Sequence, residues 1–243
     1  MGGTLSVSAV IGDTLAILRR GGATLAALAV LLLGLPQLLP WMTEAVVPDN
    51  PGLAEGAAGA AGILGFVFNI VFYGAATHAA LAAVEERPGS VLASLGRGFR
   101  MFFGTLAINI RSGFGILIAS LLLVIPGVML FCSWAVVLPA YVAEGRVVGP
   151  AFARSRELTL GHRWRILGLC LIYAPIVVVL FLPTLLAAMI PSPGSNVNAL
   201  SGLQNVALDA GSVLAEAGLV ALYAALRRIA DGVPATVLAA AFE

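Results

Sequence analysis

The sequence predicts an all-α protein that crosses a membrane several times. Of its 243 residues, 60% are hydrophobic and only 10% are charged, whereas soluble domains carry about a quarter charged residues. The basic residues add a second observation. All thirteen are arginine, and twelve of them fall in four short clusters separated by long apolar stretches. Arginine-rich loops are retained on the cytoplasmic side of a membrane, so this spacing also predicts how the chain is threaded.

Six membrane spans follow from the lengths of the apolar stretches, since a spanning helix needs about 20 mostly apolar residues. They are Ala23–Trp41, Ala58–Val84, two spans within Phe103–Ala143, Ile166–Ile190 and Val206–Leu226. The Phe103–Ala143 stretch is long enough for two spans that reverse at Ile125-Pro126-Gly127. One span followed by an interfacial helix is the alternative. We disfavour this alternative. If the stretch were divided at Arg111, too few residues would follow Gly127 to make two segments of similar length.

The four arginine clusters predict that both chain termini face the cytoplasm. Each second crossing returns to a cluster, and the three outer connections contain no arginine. The clusters are Arg19–Arg20; Arg87, Arg97 and Arg100; Arg146, Arg154, Arg156, Arg163 and Arg165; and Arg227–Arg228. We therefore expect a multi-pass protein of the bacterial cytoplasmic (inner) membrane, N-in and C-in.

Three amphipathic segments precede the three pairs of spans and are predicted to be interfacial helices. They are Leu5–Arg20, Val91–Arg100 and Val147–His162. Such helices place arginine toward anionic headgroups. The first helix of each pair also ends in an apolar-proline step, at Leu35-Pro36, Ile125-Pro126 and Leu182-Pro183, which predicts three repeated helix-hairpin units. The expected layout is one membrane domain: an amphipathic helix at 1–22, a six-helix bundle at 23–230 and a cytoplasmic tail at 231–243.

Several classes of function have no support in the residues. A net charge of +1 without an aromatic-interleaved basic stripe does not indicate nucleic-acid binding. The two histidines, His78 and His162, lie in different segments and form no metal-binding motif. Cys132 and Cys170 read as buried thiols. With no Gly-x-Ser-x-Gly elbow and no P-loop, we expect no enzyme activity, no cofactor and no metal.

The most distinctive stretch begins at Ile125-Pro126-Gly127 and continues through Trp134 and Pro139 to Glu144-Gly145. It ends in Arg154-Ser155-Arg156-Glu157-Leu158-Thr159-Leu160-Gly161. This stretch resembles the membrane domain of the glycerophosphoryl diester phosphodiesterase family and related six-helix bacterial inner-membrane proteins. The opening Ile11-Gly12-Asp13-Thr14-Leu15 with Arg19-Arg20 is also similar.

The resemblance implies a membrane module rather than an enzyme. In longer members the phosphodiesterase chemistry belongs to a separate soluble barrel domain, and the chain here is expected to lack that domain. The first expected role is a non-catalytic scaffold or partner subunit in lipid or envelope processes. The alternative is a carrier or binding protein for lipids or glycerophosphodiester-like anions. A sealed bundle would favour the scaffold, and an opening lined by Arg111, His78 and Glu216 would favour the carrier.

Polar residues within the predicted spans are the candidate ligand-binding residues, since charges in the bilayer need a partner or a wet cavity. Arg111, Glu216 and His78 lie about 12, 16 and 10 Å from the inner ends of their spans at 1.5 Å per residue. Asn69 and Tyr73 extend a polar face along the second span. Two hypotheses remain open for Arg111: it pairs with Glu216 across the bundle, or its side chain snorkels to the inner headgroups.

Six arginines outside the spans are predicted to contact lipid headgroups: Arg97, Arg100, Arg154, Arg156, Arg163 and Arg165. The expected partners are therefore membrane lipids, with a partner membrane protein or a second copy of the chain as further candidates. Nucleic acid is not expected.

Overall fold

A computed structural model describes residues 5–46, 51–87, 89–145, 147–189 and 196–232, and every regular element in these ranges is helical. The helices are α1 (Val7–Ala29), a π-helical segment (Val30–Gly34), α2 (Leu35–Val46), α3 (Pro51–Val84), α4 (Val91–Arg100), α5 (Phe102–Leu122), α6 (Val124–Trp134), α7 (Val137–Glu144), α8 (Val148–Thr159), α9 (Arg163–Met189) and α10 (Asn196–Asp231). Arg146, the loops at 47–50 and 190–195 and the tail beyond 232 lie outside the described residues.

The prediction of an all-α membrane protein is confirmed. Five described segments are long and apolar enough to cross a membrane: Val7–Leu39, Glu55–Val84, Phe102–Leu122, Val124–Glu144 and Asn205–Asp231. Helix α9 covers the predicted fifth span except for Ile190.

The first hairpin differs from the prediction at its start. Helix α1 continues through the π-helical segment into α2, so no break separates an N-terminal helix from the bundle near residue 22. Gly21 lies within this continuous helix and packs against α3. A Cβ atom at Gly21 would lie 3.0 Å from the Cβ of Ala83. Gly21 is therefore a contact between α1 and α3.

The second hairpin reverses at Leu123, two residues before the predicted turn. Leu123 has an extended backbone (φ −161°, ψ 135°) between α5 and α6. Pro126 lies in the first turn of α6, where a missing N–H costs no helical hydrogen bond. It therefore begins the second helix of its hairpin, whereas Pro36 and Pro183 lie in the first helical arm of theirs.

Helices α4 and α8 are separate amphipathic helices, as predicted, and each packs back on the bundle. His78 of α3 lies opposite Ser94 of α4. Gly98, one turn later on α4, lies against Val71 and Ala75, which come earlier on α3. Helix α4 therefore runs antiparallel to α3. Helix α8 packs on both α6 and α7.

The helices form three units in a closed ring. In each unit a leading helix precedes a hairpin: α1 before α2–α3, α4 before α5–α7, and α8 before α9–α10. The last helix of each hairpin packs on the leading helix of the next unit, α3 on α4 and α7 on α8. The contact of α10 with α1 closes the ring. The units led by α4 and α8 have the separate leading helix predicted from the sequence, whereas in the first unit α1 continues into the first span.

Candidate functional site

Arginines from separate clusters meet carboxylates of other helices at one end of the bundle. Arg20 of α1 pairs with Glu86 after α3 at 2.9 Å, and Arg228 of α10 pairs with Asp13 of α1. These contacts place widely separated parts of the chain in one charged layer. We call this region the arginine end.

Arg154 is the centre of the largest ion-pair network at the arginine end. Its guanidinium contacts Glu144 of α7 at 3.1 Å, Glu157 at 3.2 Å and Asp231 of α10. Burial alone would lower the pKa of Arg154, but the hydrogen bonds and charges of these carboxylates outweigh it and raise the pKa above its ordinary value. The side chain is only 11% exposed. The prediction that Arg154 contacts lipid headgroups does not agree with the structure, because the guanidinium group is already paired with three protein carboxylates.

The motif that carries the family resemblance is built into the joint between α7 and α8. Glu144 binds Arg154, and Gly145 and Gly161 end their helical turns with positive φ of 58° and 81°. Ser155 and Thr159 donate hydrogen bonds to the carbonyl of Ser133, at 2.9 and 3.3 Å. These hydrogen bonds satisfy the carbonyl where the chain bends between α6 and α7. The distinctive residues thus stabilise a helix joint.

Arg111 lies against Phe152 of α8, with its guanidinium carbon 4.4 Å from the ring centroid. Helix α8 also carries the exposed residues Arg156 and Glu157, within about a turn of Phe152. Arg111 is therefore beside a charged helix, although counting from the start of its span had placed it about 12 Å deep. Snorkelling of Arg111 to the inner headgroups stays a prediction.

Glu216 does not pair with Arg111 in the structure. Glu216 is buried, with 3% of its surface exposed, and accepts a hydrogen bond of 3.0 Å from Thr77 of α3. Arg111 cannot reach it, because α5 packs on α3, α4, α6, α7 and α8 and makes no substantial contact with α10 in the described residues.

The other three predicted ligand-binding residues lie on α3 in different surroundings. Tyr73 is near Glu216, and Asn69 lines a cavity one turn away. His78 faces Ser94, with its Nδ1 atom 3.2 Å from the serine oxygen. The five residues predicted to share one site are thus divided among α3–α10, α3–α4 and α5–α8.

The remaining predicted headgroup contacts differ in exposure. Arg100, Arg156 and Arg165 are exposed, while Arg97 and Arg163 are half-buried. Arg165 donates a hydrogen bond of 2.9 Å to the carbonyl of Leu5. The Nε atoms of Arg97 and Arg163 are buried and lack an acceptor among the described residues. Arg163 therefore has hydrogen-bonding capacity left over.

An open cavity of about 660 Å³ lies between α6, α9 and α10. Its walls are almost entirely apolar, and they include Phe131, Leu169, Tyr173, Leu208, Ala215 and Leu222. Ile176 and Val178, which also line it, are 42% and 62% exposed, so the cavity opens sideways from the helices. We call it the lateral cavity.

The lateral cavity was not foreseen, because none of the residues predicted to bind a ligand lines it. Its lining side chains are ordinary constituents of apolar spans, and only the way α9 stands off from α6 and α10 makes them a cavity. A second cavity, of about 400 Å³, lies between α2, α3 and α10 and includes Asn69 and Asp209. Of the predicted residues, Asn69 alone could have indicated it.

Comparisons with protein-family models, curated proteins and solved structures found no match. Among the described residues, no three histidine, cysteine, aspartate or glutamate side chains come close enough to hold a metal ion. The two cavities and the arginine end are the features from which a function can be argued.

Proposed function

We propose that this protein is a non-catalytic integral membrane protein that binds an anionic membrane lipid. An acyl chain would occupy the lateral cavity, and the headgroup would lie near Arg163 and Arg165. The observation that carries the proposal is the lateral cavity itself, an apolar space of about 660 Å³ that opens sideways within the predicted spans.

The size and chemistry of the lateral cavity support a hydrocarbon ligand. Binding pockets for small molecules have volumes of about 300–1,000 Å³ and mostly apolar walls. The polar groups at the walls are few, namely Ser212, Tyr173 and the Cys170 thiol. Ser212 already donates a hydrogen bond of 3.0 Å to the carbonyl of Leu208. Little remains to bind a polar ligand, whereas an acyl chain needs only apolar contact.

The start of α9 supports an anionic headgroup. Arg163 precedes the cavity residue Leu169 by six positions, or about 9 Å along the helix. Arg165 is exposed on the same turn, and Trp164 between them is 75% exposed. Tryptophan and arginine are enriched at the membrane interface, and guanidinium groups bind phosphate strongly. A lipid could therefore extend from this turn into the cavity.

This proposal includes the orientation and setting expected from the sequence. The arginine end would face the cytoplasm of a bacterium, because clustered arginines are retained on that side. The relationship to the glycerophosphoryl diester phosphodiesterase membrane domains is also part of the proposal, and the Glu144–Arg154 joint supports it. Of the two roles expected from the sequence, lipid binding is preferred. The site moves from Arg111 and Glu216 to the lateral cavity.

Lipid retention by a cavity-filling variant tests the proposal. Ala215 is exposed to the lateral cavity, so Ala215→Phe should fill it. We expect the wild-type protein, purified in mild detergent, to retain anionic phospholipid detectable by mass spectrometry. Ala215→Phe should lower the retained amount several-fold. Ala58→Phe, which changes an exposed alanine of α3 away from the cavity, is the matched control. Equal retention by all three proteins would refute lipid binding at this site.

A further inference from the structure

The cavity between α2, α3 and α10 is polar, in contrast to the lateral cavity. Its volume is about 400 Å³, and the polar side chains of Gln37, Asn69, Asn205 and Asp209 reach it from three helices. Pro36 and Gly65 contribute to its apolar part. All these residues lie within segments apolar enough to span a membrane. We call it the amide cavity.

The local backbone of the first helix directs Gln37 into the amide cavity. Pro36 has no N–H to donate to the preceding turn, and the turn before it is π-helical. Gln37 donates a hydrogen bond of 3.0 Å from Nε2 to the carbonyl of Leu33 and another of 3.3 Å to Asp209. Single π-helical turns often mark functional sites. Here the turn aligns an amide beside a carboxylate.

Among the described residues, the Asp209 carboxylate has no positively charged partner. None of the described ion pairs includes it, and no described lining residue of the amide cavity is basic. An ionised carboxylate costs about 2.5–3.5 kcal/mol at the centre of a membrane span unless it is compensated. Asp209 lies near one end of the apolar segment Asn205–Asp231, where this cost is smaller. One neutral amide donor compensates little of this cost. The Asp209 carboxylate therefore favours the binding of a positively charged group in the cavity.

We propose that the amide cavity binds a primary ammonium group. The Asp209 carboxylate would supply the charge, and the amide oxygens of Asn69 and Asn205 would accept the remaining N–H donors. A volume of about 400 Å³ is far larger than a bare ion needs, and the apolar walls can contact the carbon atoms of an amine. Quaternary ammonium groups are bound by aromatic cages, and no described lining residue is aromatic.

This site is independent of the lateral cavity. Asn205 and Asp209 face α2 and α3, whereas Leu208 and Ala215 face α6 and α9 on the other side of α10. The ammonium group could belong to a free amine or to the headgroup of an aminophospholipid. Both sources present the same –NH₃⁺ group to Asp209.

Thermal unfolding of the full-length protein in detergent tests the proposal with four probes. Ethanolamine and choline are the free amines, and phosphatidylethanolamine and phosphatidylcholine are the lipids. We expect stabilisation by one or both ethanolamine compounds and none by the matching choline compound. A response to both ethanolamine probes indicates a free amine, and a response to the lipid alone indicates a headgroup. Equal stabilisation by the ethanolamine and choline members, or by neither, would overturn the proposal.

Two variants locate the response. Asp209→Asn keeps the shape of the side chain and should weaken ethanolamine-type binding at least about tenfold, because it removes a charge-assisted hydrogen bond. Glu55→Gln removes a carboxylate of α3 that does not line the cavity and should bind like wild type. Asn205→Ala, expected to weaken binding several-fold, serves if Asp209→Asn is poorly folded. If Asp209→Asn, or Asn205→Ala in its place, folds and binds as the wild type does, the proposed site is wrong. Ala215→Phe should leave the response intact, which separates this test from that of the proposed lipid site.

Discussion

At the scale of single residues, the charged side chains have two distinct roles. Arg154 is buried among carboxylates of α7, α8 and α10 and joins these helices. Arg156, two positions later, is exposed. Both belong to one arginine cluster in the sequence, because the cluster reflects membrane sidedness and does not record which side chain is buried. The two residues form a matched pair for mutation.

Replacing Arg154 with glutamine should destabilise the protein strongly. The change removes the ion pairs of Arg154 with Glu144 and Asp231, while Asp231 keeps its contact with Arg227 at 3.4 Å. Breaking a buried ion pair costs about 3–5 kcal/mol. For a protein of this size, about 3 kcal/mol corresponds to a decrease of about 6–12 °C in melting temperature. Thermal unfolding in detergent measures it. Arg156→Gln should shift the melting temperature by less than about 2 °C. Similar shifts for both variants would contradict the network.

Arg111 and Glu216 should behave as independent residues. Arg111 contacts Phe152, and Glu216 accepts a hydrogen bond from Thr77, so the two share no partner. A double-mutant cycle with Arg111→Gln and Glu216→Gln should give a coupling energy below about 0.5 kcal/mol. The melting temperatures of the four proteins provide the measurement. A coupling above about 1 kcal/mol would restore the pairing hypothesis.

At the scale of helices, glycines set how closely neighbouring helices approach. Gly127, in the first turn of α6, lies directly against Ser120 of α5, where a Cβ atom would lie 2.9 Å from the Ser120 Cα. Gly98 brings α4 equally close to α3, since a Cβ atom there would lie 2.6 Å from the Val71 carbonyl oxygen. Close approach through small residues compensates for the weak hydrophobic drive between helices in lipid. The short helix α4 can thus pack on α3 despite its ten-residue length.

Substitution of two neighbouring glycines of α4 by alanine should have opposite effects. At Gly98 the new methyl group meets backbone atoms of α3, and such overpacking costs about 1–3 kcal/mol. At Gly96 nothing lies within 4 Å of the added Cβ, so alanine should stabilise the helix by about 0.4–1 kcal/mol. Thermal unfolding of Gly98→Ala and Gly96→Ala distinguishes them. A stabilised Gly98→Ala would show that α4 does not pack on Val71.

At the scale of the whole molecule, the sequence predicts the fold better than the site. Apolar length alone locates the spans, and the bounds of α4 match the predicted Val91–Arg100. The continuity of the N-terminal helix with the first span was not predicted, because Arg19 and Arg20 separate its amphipathic pattern from the apolar stretch that begins at Ala23. The ligand-binding residues were predicted from polarity within spans. The position of a polar residue along a span predicts its depth but not which helix lies beside it. The sequence therefore could not show that Arg111 and Glu216 belong to helices, α5 and α10, that do not pack on each other.

The cavities lay beyond sequence analysis for a related reason. Leu169 and Ala215 are indistinguishable from packed residues until the position of α9 is known. In the closed ring, each hairpin packs on the leading helix of the next unit, and the charged residues of all three units come together at the arginine end. Because these charged residues lie at one end, the orientation of the whole molecule in the membrane can be tested at a few residues.

The predicted topology places the arginine end in the cytoplasm and the turn between α2 and α3 outside. Val46 ends α2 and is 76% exposed, and Gly96 of α4 is exposed beside Arg97. In a background with Cys132 and Cys170 replaced by alanine, Val46→Cys should react with a membrane-impermeant maleimide in intact cells. Gly96→Cys should react only after lysis, because the bilayer separates it from the reagent. Labelling of Gly96→Cys in intact cells would show that the protein has the opposite orientation in the membrane. The arginine clusters would then face outward against the positive-inside rule, and the headgroups near Arg163 would belong to the outer leaflet.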